Sequence, residues 1–350
     1  MKASFFRHTL KFIIPGKTSR DVLSKKDSWF LVLKDVKNYG IGECSIIPGL
    51  SLDNMHKIEL KLKQACNDIS KGKQINYETY DQFPALKFAI ETAYHSLEGC
   101  DSPFHLFDSD FTNKKKGIPI NGLIWMGDIT FMNKQIKSKL DNGFNCLKLK
   151  VGSLEFESEI KLLKNLRKEF SKKDLEIRLD ANGAFTKETA LEKLKRLSDF
   201  SIHSIEQPIK PKQFNEMAKI CELSPLPIAL DEELIGVNLS SERQKLLDTI
   251  NPHFLILKPS LLGGFKDSNE WIHFAEKRNI KWWATSALES NVGLNAIAQW
   301  VSIKENNLRQ GLGTGMLFSN NIKSPLEIEG DKLFLKNDKS WNINFFNKNI

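Results

Sequence analysis

The sequence predicts an α/β protein in which a modified (β/α)8 barrel carries a smaller α+β domain. Three observations lead there. From Gly117 onward, short apolar runs alternate with amphipathic helical stretches, giving eight strand candidates in a row. Five consecutive runs end in a charged residue, namely Lys150 in CLKLKVG, Asp180 in IRLDANG, Glu206 in HSIEQP, Asp231 in PIALDEE and Lys258 in FLILKPS. They stand 25 to 30 residues apart, the length of one βα unit with its loops. Before Gly117 this rhythm is missing, as expected of a separate small layer of strands followed by helices.

Along the chain, MKASFFRHTLKFIIPG reads as a first strand and SWFLVLKDV, residues 28–36, as a second. YGIGECSIIPGLS, residues 39–51, has turn chemistry around an apolar core. Residues 51–69 place Leu52, Met55, Ile58, Leu62, Ala65 and Ile69 at helical spacing, and residues 84–99 form a second helix stopped at Gly99. The barrel strands are then expected in GIPINGLIW, FNCLKLKVG, EIRLDAN, SIHSIEQP, LPIALDEE, HFLILKPS, IKWWATSAL and QGLGTGMLF. Among the helices between them, residues 186–200 carry Ala190, Leu191, Leu194 and Leu197 on one side. Glu188 falls in its expected first turn, and Lys193, Lys195 and Arg196 come later, as the helix dipole favours. After residue 320 the rhythm ends, and LEIEG and KLFLKN suggest a hairpin. The expected domains are therefore 1–115 (α+β cap), 116–319 (barrel) and a tail, 320–350, returning to the cap.

Composition narrows the class. At 350 residues, with 41% hydrophobic and 27% charged residues, the chain is an ordinary globular protein with room for a large core. No apolar run approaches the roughly 20 residues of a membrane span, and Arg7, His8 and Lys11 interrupt the N-terminus where a signal peptide needs an unbroken core. Five scattered cysteines without a CxxC pair fit a reduced, cytoplasmic protein. The net charge of +8 comes from dispersed lysines without aromatic interleaving, so neither nucleic acid nor membrane is an expected partner. Such a surface suits a small anionic substrate. Whether the chain is a monomer or a homo-oligomer is left open.

Side chains at barrel strand ends converge on one mouth. Asp180, Glu206 and Asp231 would meet there, and three gathered carboxylates call for a hard divalent cation, Mg²⁺ with Mn²⁺ as a substitute. The acid run Asp231-Glu232-Glu233 leaves the third ligand open; alternation turns Glu232 to the opposite side, where it could support a ligand from behind. Lys148 and Lys150 share one strand face, and each ammonium should lower the pKa of the other, freeing one as a base. Lys258 faces them from the far side as an acid/base or a fixed cation. Arg178 and Asn182 flank Asp180 at period two and are candidates to orient it or touch the substrate. His203, His253 and His273 occupy no recurring strand-end position and read as structural. LLGGF and GLGTG match no phosphate-binding motif and read as tight turns.

In order and spacing, KxK at 148–150, DAN at 180–182, IEQP at 205–208, DEE at 231–233 and LKPSLLGG resemble the enolase superfamily and its muconate-lactonizing subgroup. GECSIIPGLS, INGLIWMG and SALESNVGL are similar to the subgroup's menaquinone-pathway dehydratases. The resemblance spans almost the whole chain and implies an enolase-like (β/α)7β barrel acting on a small dicarboxylate. The implied reaction is an Mg²⁺-dependent syn dehydration of a cyclohexadiene carboxylate through an enediolate. Lys150 would be the base, Lys258 a cationic stabiliser and Lys148 a tuning neighbour. It further implies that Ser286, Ser290 and Gly311 contact the substrate's far end, and that residues 15–27 form a lid whose Arg20 grips a second carboxylate. N-acylamino acid racemization or cycloisomerization uses the same catalytic residues. The GLGTG strand departs from the DxD pattern of dipeptide epimerases, and an intact lysine–carboxylate set argues against a barrel that only binds anions.

Overall fold

The computed structural model describes residues 1–17, 22–99 and 102–348. An antiparallel sheet opens the chain, from β1 (Lys2–Lys17), β2 (Val22–Lys34) and β3 (Tyr39–Ser45) in that order. Two helices lie against it, α1 (Ile58–Ser70) and α2 (Pro84–Glu98), and the side chains of Trp29, Leu31, Leu33, Leu62, Leu86 and Ala89 form a common core. Gly40 and Gly42 permit the close approach of α2: a Cβ on Gly42 would stand 1.8 Å from the Ala89 carbonyl oxygen.

The first helix starts later than its periodicity suggests. Ser51 Oγ accepts the Ile47 N–H, and Asp53 is drawn away to accept the N–H groups of Ala85 and Leu86 at the start of α2. Leu52 and Met55 are left exposed, and regular helix begins only at Ile58. The helix Ala190–Ser198 likewise begins after the predicted residue 186, so that Glu192, not Glu188, occupies its first turn.

The larger sheet is parallel, with seven strands: β5 (Gly122–Ile124), β6 (Cys146–Lys150), β7 (Glu176–Asp180), β8 (Ser204–Glu206), β9 (Ile228–Leu230), β10 (Phe254–Leu257) and β11 (Lys281–Ala284). Helices intervene between successive strands and cover the outward Leu147, Leu149, Ile177, Leu179, Ile205, Ile228 and Leu255. The predicted strand 310–318 shrinks to two residues. The Gln310 N–H donates to Pro119 O and Gln310 O accepts the Asn121 N–H, while the Gly311 N–H donates to Ala284 O and Gly311 O accepts the Ser286 N–H. Those bonds join the two edges of the sheet, and the chain then turns through a single 3-10 turn at Gly315–Leu317. The predicted first barrel strand is split. Its start, β4 (Ile118–Pro119), pairs with the tail hairpin of β12 (Leu326–Glu329) and β13 (Lys332–Leu335), while β5 pairs with β6. The end of the chain folds Phe346 against Phe6, Phe30 and Phe104. The enolase-like α/β architecture is thus an antiparallel N-terminal layer set against a parallel, helix-covered barrel sheet.

Candidate active site

Alternation along each barrel strand decides what faces the mouth. Leu147 and Leu149 point out to the helices, which leaves Lys148 and Lys150 inside; Leu179 and Ile205 likewise leave Asp180 and Glu206 inside. Asp180 lies directly beside Lys150 on one strand and Glu206 on the other. Asp231 and Lys258 follow immediately after β9 and β10.

The five strand-end residues converge, with Lys148 among them. Lys150 Nζ lies 2.6 Å from Asp180 Oδ2 and 2.6 Å from Asn182 Oδ1. Lys148 Nζ lies 2.8 Å from the same Asp180 oxygen and 2.5 Å from Glu206 Oε2. Lys258 Nζ contacts Asp231 Oδ2. The side chains of Lys150 and Lys258 are each 12% exposed and that of Lys148 only 6%, so Lys148 lies deepest while the other two flank the opening. A cavity of about 110 Å³ is lined by Lys148, Lys150, Asn182, Glu232, Lys258 and Thr285 among others. Two larger clefts, of about 900 and 880 Å³, open elsewhere and touch none of the three lysines or three carboxylates.

Electrostatics follows from burial and pairing. Burial pushes Asp180 upward, yet Lys148 and Lys150 overcome it and hold the carboxyl well below its ordinary value. Asp231, equally buried, is lowered by Lys258. Glu206 goes the other way: burial, then the negative charge of Asp180, raise it well above its ordinary value despite Lys148. Burial alone would lower Lys148 and Lys258, but the carboxylates around them raise both. The expected depression of Lys148 by its lysine neighbour does not occur, because Asp180, Glu206 and Asp231 outweigh one ammonium.

A cation suits this set. Glu206 Oε2 meets the Lys148 ammonium at 2.5 Å, but neither oxygen has an aligned hydrogen-bond partner among the described residues, which leaves lone pairs for a cation. With Lys148 lying between Asp180 and Glu206, no three described acidic, histidine or cysteine side chains are drawn together as a metal cage. Three buried carboxylates on neighbouring strand ends nevertheless match the oxygen ligands that Mg²⁺ prefers.

The remaining sequence candidates are distributed unevenly. Asn182, in the left-handed conformation just beyond β7, links Lys150 to Glu232 by donating Nδ2 to Glu232 Oε1 at 2.9 Å. Glu232 does not point away from the mouth as strand alternation suggested. The strand ends at Leu230, and the 3-10 turn Glu232–Leu234 swings it into the cavity wall. Arg178 is turned to the opposite end of the barrel, where Nε binds Glu176, Nη1 binds the Arg309 carbonyl and the guanidinium lies 4.2 Å over Trp283. Period two places it on the right face, but two residues are roughly 6.6 Å of strand, enough to reach another layer. Ser286 and Gly311 line the cavity. Ser290 does not; it caps the helix Asn291–Ser302 and binds Glu43 of β3 through both N–H and hydroxyl. Arg20 lies outside the described residues, as does Cys100. Cys44, Cys66, Cys146 and Cys221 are free and buried. His203 pairs with Ser204 against Phe254, and His253 Nδ1 accepts the Ile228 N–H, both structural roles.

Sequence reasoning passed over Asn121, Leu123, Trp125, Thr285 and Thr314 in the cavity wall. Two of them were within reach. Trp125 lies 25 residues before Lys150 and Thr285 lies 27 after Lys258, so both continue the βα interval, but neither is charged.

Fold and site define a barrel enzyme of the enolase kind, and residues 132–337 match the family described as Enolase C-terminal domain-like. The chain is 45% identical to an o-succinylbenzoate synthase of Desulfotalea psychrophila over 95% of its own length and 98% of the relative's. It belongs to the enolase superfamily and, within it, to the o-succinylbenzoate synthase family. The crystal structure of MenC from Desulfotalea psychrophila is 43% identical, with a TM-score of 0.85 over 95% of this chain and 99% of that one. A dipeptide epimerase from Enterococcus faecalis, crystallised with Mg and a dipeptide, shares the fold at 18% identity and a TM-score of 0.81, over 97% of each chain. No described helix is long and apolar enough to cross a membrane.

Proposed function

We propose that the chain catalyses the syn dehydration of 2-succinyl-6-hydroxy-2,4-cyclohexadiene-1-carboxylate to 2-succinylbenzoate in menaquinone biosynthesis, as a cytoplasmic enzyme. The choice of substrate is supported by the 45% identity, over nearly the full length of both chains, to an o-succinylbenzoate synthase. One observation carries the chemistry: Lys150 and Lys258 enter the same cavity from strands on opposite sides of the carboxylates.

In its amine form, Lys150 takes the proton from the ring carbon that bears the carboxylate, and the C–H electron pair moves into the carboxylate group. The electrons then return to the ring as the C–O bond to the hydroxyl breaks. Lys150 delivers its proton to that oxygen from the same face, so that water leaves, the ring is aromatic and the amine is restored. Asn182 holds Lys150 in position through its Oδ1. Lys258 stays protonated beside Asp231 and offsets the negative charge developing in the ring. Lys148 remains a buried cation that keeps Asp180 ionised. Mg²⁺ held by Asp180, Glu206 and Asp231 would supply positive charge to the substrate carboxylate. Incubating the purified protein with Mg²⁺ and the cyclohexadiene should convert the diene absorbance to that of the aromatic product; no conversion overturns the assignment.

A further inference from the structure

Two polar side chains in the cavity wall lack partners that their neighbours have. Asn121, only 3% exposed, buries its Oδ1 with no hydrogen-bond partner among the described residues, and the Thr285 Oγ1 is in the same state. Buried polar atoms of this kind are rare unless something binds them. The two residues stand on either side of the two-residue strand that closes the barrel. The Asn121 N–H donates to Gln310 O at 3.0 Å, and Thr285 bridges Gly311. A Cβ on Gly311 would come within 2.4 Å of Thr285 Oγ1, so glycine at this position leaves the hydroxyl room.

Ser286 differs. Its hydroxyl donates to Glu289 Oε2 at 2.5 Å and accepts from the Leu288 N–H at 3.1 Å and Thr314 Oγ1 at 2.8 Å. One donor and two lone pairs are thereby used up. Thr314 has spent its proton on Ser286 and can offer a ligand only lone pairs.

The strand order gives these groups a direction. The carboxylates belong to β7, β8 and the end of β9, the lysines to β6 and the end of β10, and Asn121 and Thr285 to the β5–β11 side where the barrel closes. A ring held between the two lysines, with its carboxylate toward Asp180, Glu206 and Asp231, would point its other substituent at the closing strand. We propose that Asn121 and Thr285 bind the oxygens of the substrate's succinyl arm and set specificity for it, in place of Ser286. The Asn121 amide can present either its oxygen or its N–H₂ group by a half-turn. The inference rests on the function proposed above.

The test is binding of 2-succinylbenzoate and of benzoate, which lacks the arm, to the Mg²⁺-loaded protein by calorimetry. The wild type should prefer 2-succinylbenzoate. Asn121→Leu and Thr285→Val should each reduce that preference about ten-fold, the scale of a hydrogen bond to a charged or carbonyl oxygen, and leave benzoate affinity in place. Thr285→Ser keeps a hydroxyl and should retain the wild-type preference even if Thr285→Val folds poorly. Variants that discriminate like the wild type overturn this inference alone. A wild type that binds both ligands equally overturns the functional reading with it.

Discussion

Lys150 and Lys258 have similar exposure and similar carboxylate partners, yet the proposed reaction asks different things of them. Lys150 moves the proton; Lys258 only balances charge. Lys150→Ala should therefore lower kcat by about 10²–10⁴-fold, the worth of a positioned general base. Exchange separates the roles further. With a racemizable N-acylamino acid in D₂O, each lysine faces one enantiomer, so Lys150→Ala should stop α-proton exchange in one and Lys258→Ala in the other. Wild-type exchange of both enantiomers by both variants would remove the lysines from the chemistry. Glu206 invites a second measurement, because its oxygens lack aligned partners and Asp180 and Asp231 repel its charge. Glu206→Gln should weaken Mg²⁺ binding measured by calorimetry, and unchanged affinity would mean that the cation sits elsewhere.

At the scale of the element, helix α2 begins without a local cap: Phe83 precedes it and has no side-chain oxygen. Asp53, thirty residues earlier, supplies the missing acceptor with Oδ2 to the Ala85 N–H at 3.1 Å and Oδ1 to the Leu86 N–H at 3.3 Å. Burial raises its carboxyl to about 7, even though the two N–H groups favour the charged form. An unfolded aspartate titrates near 3.9. Between those values the folded state binds the extra proton, so this group's contribution is fully present below about pH 4 and is lost as the pH rises through about 7. Denaturation midpoints collected across that window should fall as the pH rises, and Asp53→Asn should flatten that slope. An unchanged slope in the variant would show that another group is responsible. The cap also explains why the sequence over-extends α1: Asp53, inside the predicted segment, is engaged by distant N–H groups that no local window reveals.

For the whole molecule, the chain's end is as integral as its beginning. Phe346 is fully buried against Phe6 and Phe30 of the first sheet and Phe104, while Trp341 stacks on Phe104 at 4.0 Å. Phe346→Ala should cost about 3–5 kcal/mol of stability, visible as a lower Tm, and an unchanged Tm would show that the tail merely rests there. The tail hairpin serves another part of the molecule through β13, which pairs with β4 below the barrel's first strand. Glu43 of the first sheet reaches across to Ser290 and Gly293 at the start of the helix Asn291–Ser302. These contacts join segments some 210 to 340 residues apart in the chain, and periodicity carries no information about them.

The sequence by itself determined the barrel, the order of its strands and the lysine–carboxylate convergence, because each follows from local rules. Alternation assigns Lys148, Lys150, Asp180 and Glu206 to one strand face, and the βα interval assigns that face to one mouth. Only the tertiary structure decided depth along the barrel axis and the state of each polar group. Arg178 and Asp180 share a face, yet one anchors the floor on Trp283 and the other meets Lys150 at the mouth. Glu232 entered the cavity because its strand stopped one residue before Asp231, and Ser290 was claimed by Glu43 from another sheet. The closing strand kept only Gln310 and Gly311, whose backbone groups bond to both edges of the sheet. Strand faces repeat with the backbone; where a strand ends and which distant partner satisfies a side chain depend on segments that meet only when the chain has folded.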